Sequence, residues 1–456
     1  MSSRKRDPDA VVRAVARFLA NPGGSAPQRR RLSRSSVPVA DAELLTVSEW
    51  VPPQRWRIAF SGGRDSTVLL NVLARLCPEQ ILDVMHVHHG LHPEADAHAL
   101  WCAEQVRQLN LPFVECRVSV PRTGGEGLEA AARRERYRVL AEGLAGGDCV
   151  LTGHHADDQA ETLFLAVLRG RGPRGLAAMP ELRPLGAGWL GRPLLSVAGA
   201  ALGAYALAED LHWREDPTNR DDGLARNYLR RQVIPGLQSR FAWPAGPLRV
   251  VQLQQEANSL LNASLDARLD VMACMDMGHP AETRVLERAS LLAQPALDQI
   301  WLVYRFLDRH GVPPPLRDAL REYLRQLGTG AVAAVLPITG SSWQLRSYQS
   351  GLYLVDTATL PEARELVGRW NWPVGQNALD LADGRCLQRD DLAAAGVDAE
   401  AEVQIGFRQG GERIFQHGVQ RSLKSILQEK RIPPWRRPGI PLVYVDGQLR
   451  TALWHR

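Results

Sequence analysis

Cysteine is scarce and lysine nearly missing. The six cysteines (Cys77, Cys102, Cys116, Cys149, Cys274 and Cys386) form no CxxC pair and stand with no histidines at zinc spacing. That excludes a disulfide-stapled module and a zinc ribbon, and is the usage expected of ordinary core thiols in a reducing cytosol. Long apolar runs are also lacking. The most apolar stretch, Leu194 to Ala208, is short of the roughly 18 to 20 residues that span a bilayer, so no membrane span is expected. The basic N-terminal residues have no apolar run behind them, unlike a secretory signal. Lysine occurs only at Lys5, Lys424 and Lys430, all other basic residues being arginine; so general a bias carries no functional information by itself.

What is present is size and polarised charge. A chain of 456 residues, 45% of them hydrophobic, is long enough for about three domains, each with its own core. The net charge is only +5, but residues 1–35 hold nine Lys/Arg against two Asp/Glu and residues 401–456 hold ten against four. The ends are basic and the body acidic. Basic ends suit a polyanion, because each phosphate neutralised releases a counterion. For residues 1–35 the plainer reading is a solvated, disordered tail, given QRRRLSRSS beside PGGSAP.

From about 55 to 170 short apolar runs alternate with helical ones. The pattern predicts strands at Trp56–Phe60, Ile81–His88, Pro112–Val118 and Cys149–Thr152, and helices at Thr67–Leu76, Pro93–Leu109 and Leu128–Leu144. Each strand-helix-strand step fits a right-handed crossover, so the expected fold is α/β, a parallel sheet with helices on both faces and ligands at the carboxyl ends of its strands. Beyond Pro244 the three- and four-residue spacing of Leu248–Met272 and Glu282–Leu327 predicts a helical region, followed by strand-like Ala331–Val355 and a linker at 356–362. The last segment, 365–456, predicts a small α+β module with a helix near Ser422–Glu429 and a strand at Leu442–Val445.

The sharpest local signal is Ile58-Ala59-Phe60 running into Ser61, Gly62, Gly63, Arg64, Asp65 and Ser66 and then an apolar helix. A strand ending in a Ser/Gly loop that opens a helix aims backbone N–H groups and the helix dipole at one spot, as a bound phosphate requires. There is no GK[ST] ending, so this is not the common P-loop. Asp65 among phosphate-binding groups makes sense if Mg²⁺ bridges it to the nucleotide; the alternative is a tight turn with a capping aspartate. A second cluster, Thr152-Gly153-His154-His155-Ala156-Asp157-Asp158-Gln159-Ala160-Glu161, lies at another strand end. A helix starting near Ala156 puts Asp158 and Glu161 on one face, with His154 just ahead of it. Such an acidic pocket holds a cation, Mg²⁺ or a substrate ammonium, and offers proton acceptors to an amine. Asp157 and Asp158 as mere caps are the alternative. His86, His88 and His89 end the second strand, any one of them being equally a satisfied structural histidine. Arg226 and Arg230, four apart on a helix expected over 223–233, are neighbours suited to RNA backbone contact or simply an exposed face. Near the C-terminus Arg421, Lys424, Lys430, Arg431, Arg436 and Arg437 surround Trp435, a pattern of RNA docking unless the tryptophan is a core anchor.

SGGRDS resembles the pyrophosphate loop of ATP pyrophosphatases. HVHHGLHPEADAHALWC, EAAARRERYRVL, GHHADDQAETLFLAVLRGRGPRGLAAM, RPLL and EDPTNRDDGLARNYLRRQVIPGL together resemble the tRNA(Ile)-lysidine synthetase family, and RSLKSILQEKRIPPWRRPGIPLVY resembles its C-terminal domain. The resemblance covers about 55–240 and 401–456, and the helical middle only by position and length. It implies a pyrophosphate-loop (adenine nucleotide alpha hydrolase-like) catalytic domain over 41–240 behind a basic, disordered extension at 1–40, a mainly helical middle domain at 245–355, and a tRNA-binding domain at 365–456. The implied activity is ATP-dependent ligation of lysine to C2 of the wobble cytidine of a CAU-anticodon tRNA(Ile), through an adenylated tRNA, with release of AMP and pyrophosphate, changing codon specificity from AUG to AUA. By the same resemblance ATP lies on Ser61, Gly62, Gly63, Arg64, Asp65 and Ser66, with Mg²⁺ at Asp65. Asp65, His154, Asp158, Glu161 and Arg133 are catalytic. Asp158 and Glu161 also bind lysine, while Arg136, Arg226, Arg230, Lys424 and Arg436 bind tRNA. Arg133 and Arg136 match basic positions of the family motif and have a solvated helix face as their alternative. The partners implied are tRNA(Ile) and L-lysine in the cytoplasm, without a membrane; a homodimer stays open. Two other classes compete: a sulfur-installing tRNA modifier, disfavoured by the lack of CxxC, and an inactive tRNA binder, disfavoured by intact Asp65, Asp158 and Glu161.

Overall fold

Alternating apolar strands and helices must cover both faces of a sheet, and the computed structural model shows how this chain does so. It describes residues 7–21, 54–90, 94–119, 128–214, 225–272, 285–330, 334–360, 368–381, 384–398, 400–416 and 419–453. Cys274, most of the basic N-terminal stretch and the first residues of the expected arginine helix lie outside them. The chain forms two compact units, Met1–Leu260 and Leu261–Arg456.

In the first unit α1 (Asp9–Ala20) precedes β1 (Arg55–Ala59), α2 (Arg64–Leu76), β2 (Ile81–His88), α3 (Ala95–Gln108), β3 (Phe113–Arg117), α4 (Leu128–Ala141), β4 (Asp148–Leu151) and α5 (Ala156–Leu168). A short α6 (Pro173–Leu176), the hairpin β5 (Leu182–Leu185) and β6 (Gly188–Gly191), α7 (Gly199–Ala208) and α8 (Ala225–Tyr228) follow. The strands order as β3-β2-β1-β4-β6-β5. All neighbours are parallel except the edge pair β5–β6, so the expected parallel sheet is present with one antiparallel strand added at its edge. Pro184, Gly186 and Gly188 make that hairpin look like turn in the sequence. The four expected strands fall within about two residues of their observed limits.

Alternation along each strand divides the core. Trp56, Ile58, Cys149 and Leu151 face α1, α2, α3 and α7. Val150 and Leu190 face α4 on the other side. Arg57 also points to that side, pairs with Asp83 at 2.7 and 2.8 Å, and donates to the carbonyls of Leu140 and Glu142 at the end of α4. This buried cation has both a counter-charge and acceptors, as burial demands.

The expected disordered extension is corrected at residues 9–20. Val11, Ala14, Val15 and Phe18 recur at helical spacing, form the buried stripe of α1, and join the main core. Composition pointed to a tail, whereas the period of the apolar residues specified a helix. Phe18 is fully buried, its ring 6.3 Å from Trp56.

In the second unit a sheet ordered Val285–Glu287, Gly351–Asp356, Trp343–Tyr348 and Val335–Pro337 shares a core with helices Ala296–Arg309 and Arg317–Gly328. A second sheet ordered Arg369–Trp372, Val403–Gly406, Leu442–Val445 and Gln448–Ala452, with helix Leu423–Glu429, makes the α+β module. Trp435 stands edge-on to Tyr348 and Tyr353, at 6.2 and 5.3 Å, so its face serves packing.

Truncating Phe18 to Ala should cost about 3–5 kcal/mol through lost burial and a residual cavity. Denaturant melts of the full chain check this; an unchanged midpoint would show α1 to be dispensable to the core.

Candidate active site

The loop after β1 is shaped for an anion. Gly62 takes φ +76°, and a Cβ there would lie 2.8 Å from both Cys102 Sγ and His98 Nε2. No side chain caps α2 at Gly63, which leaves first-turn N–H groups and the positive end of a 13-residue helix facing the sheet's carboxyl edge. Ser66 Oγ donates to the Gly63 carbonyl at 2.9 Å and lies 3.1 Å from Ser61 Oγ. His98 Nε2 meets the Ser61 carbonyl at 2.8 Å, and His86 Nδ1 the Phe60 carbonyl at 2.9 Å. His86 is thus a satisfied buried histidine that steadies the loop, its pKa lowered by burial.

The loop after β4 packs directly on this one. A Cβ on Gly153 would lie 2.9 Å from the backbone carbon and oxygen of Asp65, so only glycine lets the two segments meet. His155 bridges them: its Nε2 is 3.4 Å from Asp65 Oδ2 and 3.5 Å from Asp158 Oδ2, and its Nδ1 is 3.4 Å from Asp157 Oδ2. Burial opposes charge on this imidazole, but the hydrogen bonds to Asp157 and Asp65 and the charge of Asp158 outweigh it and raise the pKa to about 10. The ring also caps α5, its Nδ1 accepting from Asp157 N at 3.2 Å, while its Nε2 faces Asp65 and Asp158. Partial burial opposes ionisation of the Asp65, Asp157 and Asp158 carboxyls, yet cationic and N–H neighbours hold all three below the usual range. Asp157 is structural, accepting from Gly199 N at 2.7 Å and Trp243 Nε1 at 2.8 Å.

Asp158 and Glu161 share a face of α5 as expected, but their pocket is not acidic. Arg226 and the exposed Arg230, which lies in the π-helical turn Leu229–Val233 after α8, turn inward onto both. Arg226 reaches Glu161 Oε2 at 2.8 Å and Asp158 Oδ1 at 3.1 Å; Arg230 reaches Glu161 Oε1 at 2.6 Å and Asp158 Oδ1 at 2.9 Å. The two arginines expected to contact RNA thus lie against the carboxylates of α5. Two carboxylates one turn apart match the planar forks of two guanidinium groups better than water does. Asp65, Asp157, Asp158 and Glu161 face Arg64, His155, Arg226 and Arg230 in equal number.

His154 sits beside this network with Nδ1 2.8 Å from the Thr152 hydroxyl. Burial lowers its pKa, with the charges of Arg192, Arg136 and Arg226 acting the same way against Asp158. It is neutral and can accept a proton. Arg133 and Arg136 lie on α4 with their guanidinium carbons 5.0 and 5.6 Å from the Tyr137 ring centroid, so neither forms a purely solvated face. Lys424, exposed, and Arg436 belong to the second unit, and Arg437 is spent on the Ile432 carbonyl and Tyr348 hydroxyl. Among the described residues no group of three His, Cys, Asp or Glu is arranged to hold a metal, and no helix is long and apolar enough to cross a membrane. The sequence reading missed His155 as the bridge, although its place ahead of the Asp157-Asp158 cap was the available signal.

Residues 38–237 match a family model described as a PP-loop domain, and residues 403–453 match one described as a TilS substrate C-terminal domain. A tRNA(Ile)-lysidine synthase from Xanthomonas campestris pv. campestris (strain 8004) is 39% identical, over 88% of this chain and 90% of that protein. The chain belongs to the tRNA(Ile)-lysidine synthase family. Another member, from Pseudomonas aeruginosa, is 38% identical over 91% of this chain and 92% of its own. Among solved structures, a U34-tRNA thiolase from Methanococcus maripaludis aligns over 55% of this chain and 78% of its own, at 14% identity and a TM-score of 0.39. Membership makes the chain an ATP-using tRNA-modifying enzyme, and the pyrophosphate-loop expectation holds.

His155 stabilises the folded state fully below its ordinary pKa of 6.5 and loses that contribution as pH rises toward about 10. Melting temperature should therefore fall across that window in the parent, and the His155→Gln variant, less stable at pH 6, should show a flatter alkaline slope. Gly153→Ala should cost about 1–3 kcal/mol by forcing the two loops apart and weaken nucleotide binding with it, both measurable by calorimetry.

Proposed function

We propose that this chain ligates the side-chain amine of lysine to C2 of the wobble cytidine in CAU-anticodon tRNA(Ile), at the expense of ATP, in the cytosol. The observation that carries this reading is the direct linkage, through Asp65 and His155, of an uncapped helix start suited to phosphate with a carboxylate pair suited to an ammonium. ATP lies along residues 61–66, its phosphates accepting from the first N–H groups of α2. Mg²⁺ fits at Asp65, a partly exposed carboxylate on that helix start; such an ion takes one or two carboxylates and completes its shell with phosphates and water. It would supply charge neutralisation at the phosphates.

The C2 oxygen of cytidine is a poor leaving group until it carries AMP, formed as pyrophosphate departs. The lysine amine then bonds to C2 and AMP leaves. Asp158 and Glu161 receive the lysine ammonium by exchange with the guanidinium groups of Arg226 and Arg230, so the apo site is kept charge-balanced by its own arginines. Neutral His154 takes the proton that the amine must lose. Its pKa rises as phosphate charge arrives, since the basic neighbours that depress it are then countered. The C-terminal module binds tRNA with Lys424 and Arg436.

A sulfur-installing activity finds no support in the thiols. Burial pushes Cys102, packed under the loop at Gly62, up to about 12 and Cys77 up to about 11, which makes both poor nucleophiles.

Incubating the full chain with ATP, Mg²⁺, labelled lysine and a CAU-anticodon transcript should place lysine in RNA, with one AMP released per lysine. Asp158→Asn should lower lysine incorporation roughly 10- to 150-fold, the worth of one charged hydrogen bond. Full incorporation by that variant would remove the lysine role from Asp158, and no label with the parent protein would sink the reading.

A further inference from the structure

Tyr137 on α4 is surrounded by four guanidinium groups from separate stretches of chain. Arg133 and Arg136 come from α4 itself, Arg183 from β5 with its central carbon 5.2 Å from the ring centroid, and Arg192 from the residue after β6. Arg133 also reaches the Tyr137 hydroxyl at 3.3 Å, and against burial the charges of Arg133, Arg136 and Arg192 hold the pKa of that hydroxyl below its ordinary value. Arg192 is only 3% exposed. Its Nη1 donates to the Pro180 carbonyl at 2.7 Å, but its Nε is buried with no hydrogen-bond partner.

This group differs in kind from the balanced network beside it. Among the described residues no carboxylate pairs with Arg133, Arg183 or Arg192. Gathering like charges and removing them from water is costly, and an unsatisfied buried donor adds to the cost. Burial accordingly lowers the pKa of both Arg183 and Arg192, with neighbouring arginines acting the same way. The location is equally specific. Arg192 follows Gly191, whose carbonyl accepts from Thr152 N at 3.1 Å, and Thr152 holds His154. The arginines therefore lie at the carboxyl edge of β4 and β6, next to the proton acceptor.

We propose that Arg133, Arg136, Arg183 and Arg192 form, over Tyr137, a phosphate-binding site beside His154. Planar forks converging from several directions match the oxygens of a phosphate better than those of any neutral ligand. The phosphate is either the pyrophosphate portion of the nucleotide or a backbone phosphate of the RNA. The site is read from charges this chain holds itself and is tested by binding without turnover, so its failure and that of the lysine reading are separable.

The test uses the full-length parent, Arg183→Gln, Arg192→Lys and, as a control, the exposed Arg249→Gln. Inorganic pyrophosphate and an anticodon stem-loop RNA are titrated separately at several salt concentrations, and thermal melts are recorded with and without pyrophosphate. Arg183→Gln should weaken one probe about tenfold while its ligand-free melting temperature stays level or rises, because a repelling charge has gone. Lost pyrophosphate affinity assigns the site to the nucleotide. Lost RNA affinity, with the salt slope reduced by about one, assigns it to the backbone. Arg192→Lys, which keeps charge but loses the fork, should weaken the same probe. If that variant does not fold, Arg183→Gln decides alone. Parent-like binding of both probes by Arg183→Gln, or a lower ligand-free melting temperature with binding unchanged, overturns the proposal.

Discussion

The contact on which the rest of the site depends is the His155 ring held among three carboxylates. It joins the loop after β1 to the loop after β4, two segments that parallel strands bring side by side but do not themselves connect. Backbone contact between Gly153 and Asp65 sets the spacing, and opposite charge sets the orientation. An uncapped helix start and a carboxylate-bearing helix are thereby held as one rigid edge, which is the preorganisation that a reaction between two bound partners requires.

The sheet's topology explains why charge accumulates there. Strands β1, β4 and β6 run the same way, so the loops leaving them emerge together and each contributes its polar residues to one rim. Two regimes coexist on that rim. Around Asp158 and Glu161 every charge meets its opposite; around Tyr137 cations collect, and among the described residues no carboxylate pairs with Arg133, Arg183 or Arg192. The first arrangement is stable without a ligand, and the second is completed by one.

Much of this was legible in the sequence. Strand limits followed from runs of β-branched and aliphatic residues, the phosphate loop from two glycines between a strand and a helix, and the shared face of Asp158 and Glu161 from their three-residue spacing. What escaped was of another kind. The inward turn of Arg226 and Arg230 depends on what lies across from them in space, more than sixty residues back in the chain. The β5–β6 hairpin hid behind proline and glycine, and with it Arg183 and Arg192, whose significance rests on meeting α4. The helix at the N-terminus carried a clear period but stood in a stretch whose composition argued for a tail.

The tie between Arg57 and the final carbonyls of α4 bears on how that helix can move. Its C-terminal end is pinned to the centre of the sheet through a guanidinium that Asp83 itself immobilises. Any tilt must pivot there, and displacement grows with distance from a fixed point. At about 1.5 Å of rise per residue, Arg136 lies on a lever arm of about 6 Å from Leu140 and Arg133 on one of about 10 Å. A rocking of α4 would thus sweep the outer arginine nearly twice as far as the inner one, opening or closing the cationic rim like a hinged jaw while leaving the sheet undisturbed.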